Sequence, residues 1–318
     1  MRSLFVMDPL TRINVKGDST FAVMRGLTER GLPCWWCEPG SVYARDGRAR
    51  AAATPVTAHT EAPHFVTDAP EDRDLGDFDV VWMRKDPPFD MSYVLTTYLL
   101  DMVPPSTLVV NDPIGLKLFN EKLWAMRFHQ LHPPTLLTCE PSRIRAFAAE
   151  HGDRVVVKPW DGNGGRGVLV TRFDDRNLGS ILELMTAEGR TYVLCQPYLP
   201  EVDQGDKRIL LFDGDPVGAM LRIPSPTDYR GNMHVGASVA PTTLTPREQE
   251  ICATIGPELR KWGQTFVGID VIGGYLTEIN VTSPTGFREI ERLYGVRLEG
   301  DLIDRVHRRL LMRREGAV

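Results

Sequence analysis

Cysteine is scarce. The 318 residues hold five, an odd and scattered set, which excludes a disulfide framework. There is no apolar run long enough to span a bilayer. Before Asp8 the only apolar run is LFVM, too short for the core of a secretory signal, so a cytoplasmic protein without a membrane partner is expected. A basic excess is also missing: the net charge of −5 argues against a nucleic-acid partner. The phosphate-loop ending GK[ST], the dinucleotide fingerprint G-x-G-x-x-G and a Ser-His-Asp signature are absent, and the seven histidines show no metal-ligand spacing. What remains, with 25% charged residues, is a soluble globular chain of two or three domains.

One cysteine pair invites a redox reading, the CWWC of Cys34 and Cys37. That chemistry needs the first cysteine at a helix N-terminus, where its pKa falls. LPCWWCE instead reads as a strand, on which residues i and i+3 point to opposite faces and cannot easily close a disulfide. A structural role is expected.

The first third alternates strand and helix. SLFVMD, LPCWWCE, DFDVVWMR and TLVVND read as strands. A helix capped by Asp18 or Ser19 runs through Arg30 and stops at Gly31. This alternation implies a parallel sheet covered by helices. Residues 44–76 are polar, rich in Ala and Asp, and expected to be mostly loop. From Asn120 the pattern changes. EKLWAMRFHQ reads as a helix, followed by strand VVVKP, a glycine-rich loop, strand VLV, helix LGSILELMTAEG and strand TYVLCQPYLP. RILLFDG and DPVGAMLRI then flank a tight turn around Asp213-Gly214-Asp215. PREQEICATIGPELRKWG precedes a second hairpin. The terminal helix LIDRVHRRLLMRR carries acids at its start and arginines at its end, as the helix dipole favours, and is not read as a membrane helix.

The strongest local signal is KPWDGNGGRGV from Lys158. Gly162, Gly164, Gly165 and Gly167 leave a loop between two strands that can bring backbone N–H groups against phosphate oxygens. Lys158, at the end of a buried-looking strand, needs an anion partner.

The second signal is GIDVIGGYLTEINVTSP from Gly268. A three-residue turn, Gly273-Gly274-Tyr275, sets Asp270 opposite Glu278 with Asn280 on the same face. Val267, Ile269, Val271, Thr277, Ile279 and Val281 then form the other, apolar face. Two carboxylates 4 Å apart repel by about 4 kcal/mol at an effective dielectric of 20. Either one is protonated or a cation sits between them. Two carboxylates and an amide oxygen are hard ligands, suited to Mg²⁺ bound partly through substrate phosphates. Arg84, Lys85, Arg208, Arg222, Arg230 and Arg288 lie beside turns or strand ends and suit a substrate with several carboxylates. Such a site can let a substrate carboxylate attack a γ-phosphate, the acyl phosphate then being taken by an amine.

These residues, with VMDPLTRINVKGDSTFAVM, VWMRKDPPFD, NEKLWA, GDKRILLFDGDPV, RIPS…YRGN and TSPTGFREIE, resemble the bacterial glutathione synthetases, a branch of the ATP-grasp ligases. The resemblance spans nearly the whole length. It implies an α/β chain with an ATP-grasp fold preceded by a parallel-sheet, Rossmann-like N-terminal domain. The implied units are residues 1–121, 122–200 and 201–318. It implies ATP-dependent joining of γ-glutamylcysteine to glycine, two Mg²⁺ (or Mn²⁺) ions with ATP, and a homo-oligomer, tetrameric in the family. Carried over residue by residue, Lys122 and Lys158 hold nucleotide phosphates with the loop of Gly162, Asn163, Gly164, Gly165 and Gly167. Gln196, Tyr198 and Leu199 lie along the adenine, and Asp206 reaches the ribose. Asp270, Glu278 and Asn280 hold the metals. Arg208, Arg222 and Arg230 serve catalysis; Ser283 and Thr285 line the same region, and Ser19, Arg84 and Arg288 meet the dipeptide. Arg166 departs from the pattern, standing where a small residue is expected. The glycine loop and Pro226 to Val235 are the expected lids. Two alternatives compete: an ATP-grasp ligase with another amine or dipeptide, and a non-catalytic ATP-binding regulator.

Overall fold

The computed structural model describes residues 1–152, 154–225 and 237–315. Its strands form three sheets. The first begins with β1 (Ser3–Val6), whose four residues are all buried, as a central parallel strand requires. Helix α1 (Ser19–Glu29) follows, its first turn capped by Asp18, which accepts from the Phe21 N–H at 2.6 Å. Gly31 leaves the helix at a φ of +67°. Then come β2 (Cys34–Cys37), β3 (Val42–Arg45), β4 (Arg48–Ala58), β5 (Phe65–Thr67), β6 (Glu71–Asp74), β7 (Val80–Met83), α2 (Met91–Leu100), β8 (Leu108–Val110) and α3 (Pro113–Leu118). Strands β2, β1, β7 and β8 run parallel in that order.

Residues 44–76, expected to be mostly loop, hold the end of β3 and the whole of β4, β5 and β6. The long β4 pairs antiparallel with β2, β3, β5 and β6, so the sheet is mixed. Alternation exists in β4, but its inward residues are Ala49, Ala51 and Ala53, weak strand formers that fit under a close neighbour. Cys34 and Cys37 face different cores, as the strand reading requires, and burial pushes both thiols up to about 12.

The second sheet is small and antiparallel, with order β11-β10-β12-β9. It comprises β9 (Leu136–Thr138), β10 (Arg154–Pro159), β11 (Leu169–Arg172) and β12 (Val193–Pro197), covered by α4 (Pro141–His151) and α5 (Leu178–Met185). The third, also antiparallel, has order β15-β14-β13-β16-β17. It is built from β13 (Asp206–Phe212), β14 (Asp215–Ile223), β15 (Ser238–Pro241), β16 (Phe266–Ile272) and β17 (Tyr275–Asn280). Around it stand α6 (Pro246–Lys261), α7 (Phe287–Tyr294) and α8 (Leu298–Arg314). Among the described residues, no helix is long and apolar enough to cross a membrane.

The segment EKLWAMRFHQ is not an α-helix. It forms turns and a short 3-10 helix, Ala125–Arg127. The Asn120 side chain accepts from the Lys122 and Leu123 N–H groups at 3.1 and 3.0 Å, which starts the turn. The chain then runs along β17: the Ile279 N–H donates to Glu121 O and the Leu276 N–H to Leu131 O, both at 2.8 Å. The segment keeps short-range turn bonds of its own, and the two bonds from β17 hold its ends and bring Lys122 beside the acidic hairpin.

Candidate active site

Register builds the charged row of the third sheet. Arg208 on β13 faces Asp270 on β16, and Asp270 faces Glu278 on β17. One step along, Asp206 faces Arg222 on β14. The expected opposition of Asp270 and Glu278 is present, but the turn is different. It has two residues, Gly273 and Gly274, at φ of +56° and +78°, and pairs Ile272 with Tyr275. A bulge beside Asp270 supplies the extra residue that the expected three-residue turn would have held. Thr277, expected on the apolar face, is that residue. Its hydroxyl donates to Asp270 O at 3.0 Å, and Leu276 takes its place in the core.

The two acids are met first by the protein's own cations, the arginines at Asp270 and a lysine at Glu278. Arg208 grips Asp270 with two nitrogens, at 2.5 and 2.9 Å, and Arg222 adds a contact at 2.9 Å. Burial pushes the Asp270 carboxyl up, but the two guanidiniums outweigh it and hold it well below the usual range. Asp206 lies 2.5 Å from Arg222, and there burial, with the neighbouring Asp270 carboxylate, outweighs the arginines and raises its pKa to about 7. Lys122 lies 3.2 Å from Glu278 and 2.6 Å from Glu121 and donates to the Gly162 carbonyl. Burial opposes its charge, but Glu278 and Glu121 together raise its pKa. Glu121 had no role in the sequence reading. Burial and the neighbouring Glu278 push its carboxyl up, and its place beside Lys122 in NEK was the only signal.

Of these groups Lys122, Asp206, Asp270 and Glu278 line a cavity of about 350 Å³, whose other walls come from both the second and the third sheet. Lys158 enters from the end of β10. Among the described residues its ammonium has no ion pair, and burial lowers its pKa against the pull of Glu278. Gly162, Gly165 and Arg166 of the glycine loop line the same cavity. Gly164, Gly165 and Gly167 all have positive φ, which keeps the loop open to conformations that other residues avoid. Apolar walls are supplied by Val156, Val170, Leu199 and Ile272, with Gln196 and Tyr198 in the same lining. Gln196 donates to Thr135 Oγ1 at 2.8 Å, which fixes its amide. A flat heterocycle suits the apolar walls and an anion the lysines.

Of the residues singled out from sequence, Lys122, Lys158, Gly162, Gly165, Gln196, Tyr198, Leu199, Asp206, Asp270 and Glu278 line this cavity. Asn280 points its amide nitrogen at Asp270 from 3.4 Å. Asn163 lies in a neighbouring cleft with Pro87, Phe89 and Glu121, so the glycine loop meets the RKDPPFD segment. A second group gathers at residues 283–288. Arg84 donates to Pro284 O at 2.9 Å and to Thr20 Oγ1 at 3.0 Å; Ser19 Oγ accepts from the Phe287 N–H at 3.3 Å; Arg288 pairs with Glu291. Arg208 Nη1, 3.5 Å from Thr285 O, links this group to Asp270. Ser283 is half-buried in the same turn. Arg230 and the expected lid from Pro226 to Val235 lie outside the described residues.

The donor set fits a hard divalent cation. Asp270 is a charged carboxylate, Glu278 keeps 24% of its side chain exposed toward the cavity, and the Asn280 amide can turn its oxygen to the same side.

The chain is similar to known proteins. Residues 1–117 match the family profile described as prokaryotic glutathione synthetase, N-terminal domain, and residues 121–295 its ATP-grasp domain. The glutathione synthetase of Agrobacterium fabrum is 46% identical over 304 residues, 95% of either chain. That of Thermosynechococcus vestitus is 44% identical over 305 residues, 92% of this chain and 96% of its own. Among solved structures, D-cycloserine synthetase superposes with a TM-score of 0.67 at 14% identity, over 96% of this chain and 99% of that one. The ATP-grasp ligase PsnB, complexed with Mg, ADP and a variant of its minimal precursor, gives 0.63 at 18% identity, over 96% and 98%. At such identities these two speak for the fold, an ATP-grasp architecture behind an N-terminal mixed sheet.

Proposed function

This chain belongs to the prokaryotic glutathione synthetases, and we propose that the cavity between its second and third sheets is its ATP site. The chain is an ATP-grasp ligase that joins γ-glutamylcysteine to glycine, with ADP and phosphate as the other products. One observation supports the placement of ATP: the glycine loop, Lys158 and the acidic hairpin, far apart in sequence, line a single cavity.

In this reading the adenine lies against Gln196, Tyr198 and Leu199, and Asp206 reaches the ribose. The phosphates meet Lys122, Lys158 and the N–H groups of Gly162, Asn163, Gly164, Gly165 and Gly167. Asp270, Glu278 and Asn280 hold Mg²⁺, or Mn²⁺, two ions accompanying ATP. When bound, these ions neutralise charge on the phosphates. The dipeptide lies toward Ser19, Arg84 and Arg288, with Ser283 and Thr285 at the reacting end. Arg208, Arg222 and Arg230 offset the negative charge of the carboxylate that attacks the γ-phosphate, and of the acyl phosphate it becomes. Arg208 and Arg222 are already held in place by Asp270, so little ordering remains at the moment of reaction. The catalytic unit divides into residues 1–121, 122–200 and 201–318. The chain works in the cytoplasm as a homo-oligomer, tetrameric as in its family.

The test is phosphate release and product mass with ATP, γ-glutamylcysteine and glycine. Glutathione, ADP and phosphate in equal amounts are expected. Turnover only with another amine would overturn the acceptor assignment.

A further inference from the structure

Lys122 has more anionic partners than its charge requires. Its side chain is only 4% exposed, and three oxygens stand around the ammonium: Glu121 Oε1 at 2.6 Å, Glu278 Oε1 at 3.2 Å and the Gly162 carbonyl oxygen. An ammonium has three donors, so each has an oxygen within reach. The two carboxylates belong to different surroundings. Glu278 lines the cavity, as Lys122 does, whereas Glu121 lines the neighbouring cleft with Asp161, Asn163 and Thr282. The backbone fixes Glu121 as well: its carbonyl accepts from the Ile279 N–H at 2.8 Å, one residue from Glu278.

One carboxylate is enough to neutralise a buried lysine. A second needs a reason, since two acids beside one ammonium repel each other. The metal reading of the hairpin supplies it. A carboxylate that ligates a divalent cation has its charge taken up by that ion and serves a neighbouring ammonium less. The ion and the ammonium also repel. A lysine that is to meet phosphate in the loaded site therefore needs an anion of its own. Glu121 is placed to be that anion: it reaches the ammonium from the cleft side, and its contact is the closer of the two.

We propose that Glu121 is a positioning residue of the ligase reaction, holding the Lys122 ammonium at the nucleotide phosphates while Glu278 serves the metal. Glu121 touches neither nucleotide nor metal and acts through Lys122. The inference rests on the reading of the cavity as the ATP site, with Glu278 as a metal ligand.

The test compares Glu121→Gln, Glu278→Gln, the double variant and Lys122→Gln with the wild type. Melting is followed by circular dichroism without nucleotide or metal, and MgADP binding by calorimetry. Without metal, either single change at a glutamate leaves Lys122 one carboxylate, so each should melt about 2 °C early. The double variant leaves a buried ammonium with the Gly162 carbonyl alone and should melt about 8 °C early, well beyond the sum. With metal, Glu121→Gln should weaken MgADP about tenfold and raise KM for ATP as much, the equivalent of one hydrogen bond to a charged group. Its kcat and its KM values for γ-glutamylcysteine and glycine should hold, which a general loosening of the fold would not allow. Glu121→Asp, which keeps the charge, should recover part of the loss. Additive melting losses, or an unchanged MgADP affinity in Glu121→Gln while Lys122→Gln is weakened, would overturn this proposal alone. Lys122→Gln binding MgADP as tightly as the wild type would overturn the ATP-site reading beneath it. If the double variant fails to fold, the MgADP affinity of Glu121→Gln decides.

Discussion

Replacing Glu278 by Gln and Asp270 by Asn removes one charge from each side of the same hairpin, yet the two changes should differ sharply in stability. Asp270 is the counter-ion of Arg208 and shares Arg222 with Asp206. Removing one partner of a buried ion pair typically costs about 3–5 kcal/mol, because the other charge stays buried. Arg222 keeps Asp206 and an Asn still accepts one hydrogen bond, so the low end applies, about 3 kcal/mol. At roughly 2 °C per kcal/mol for a chain of this size, Asp270→Asn should melt about 6 °C early. Glu278 is different. Its side chain is partly exposed, and Lys122 keeps Glu121 at 2.6 Å when Glu278 is gone. The expected loss is about 1 kcal/mol, near 2 °C. Both variants should lose ligation by about 10²-fold or more. Thermal melting and phosphate release on the same preparations check this. Asp270→Asn melting no earlier than Glu278→Gln would refute the paired-arginine account, and near-normal ligation in Glu278→Gln would refute the metal assignment.

Arg166→Ala tests the departure in the glycine loop: with Arg166 lining the cavity, KM for ATP should rise several-fold, more at low salt, while kcat holds. An unchanged KM would show that this arginine does not meet the nucleotide. Gly167 and Gly214 have similar φ, +71° and +78°, but a Cβ would meet Pro159 Cγ at 2.8 Å in the first and the Gly256 carbonyl oxygen at 2.5 Å in the second. Gly167→Ala should chiefly weaken ATP binding, and Gly214→Ala should cost about 2–3 kcal/mol in urea unfolding with KM unchanged. Asp206 supplies a pH test. Its carboxyl is raised from 3.8 to about 7 by burial, so the folded chain keeps a proton that the unfolded chain releases near pH 4. That contribution favours folding below pH 4 and is lost as pH rises through 7. Relative to Asp206→Asn, the wild type should therefore lose stability between pH 5 and 8, and parallel curves would contradict the raised pKa.

Much of the fold was legible because local chemistry and burial agreed. The Asp18 cap, the Gly31 stop, the buried strands of the parallel core and the glycine turn at Asp213-Gly214 all follow from nearest-neighbour rules. The failures came where tertiary contact overrode local preference. The alanines of β4 have little strand propensity, and only the neighbouring strands make them one. EKLWAMRFHQ has helical periodicity, but Phe119 and Trp124 stack with their ring centres 3.7 Å apart, and the carbonyls of Glu121 and Leu131 accept from β17, which leaves turns and one 3-10 stretch between them. The hairpin was read to the correct face by the wrong device, since a bulge shifts side chains just as a longer turn does. The charged row was half legible. Asp270 and Glu278 announced themselves, but their pairing with Arg208, Arg222 and Lys122 depends on the register of β13 and on a segment wrongly read as a helix.

The central claim is that a carboxylate of γ-glutamylcysteine attacks the γ-phosphate of ATP in this cavity before glycine arrives at the carbonyl. Labelling that carboxylate with ¹⁸O and analysing the phosphate released in a single turnover tests it most directly. One labelled oxygen per phosphate is predicted, with ADP as the nucleotide product. Unlabelled phosphate, or label carried into AMP, would contradict it.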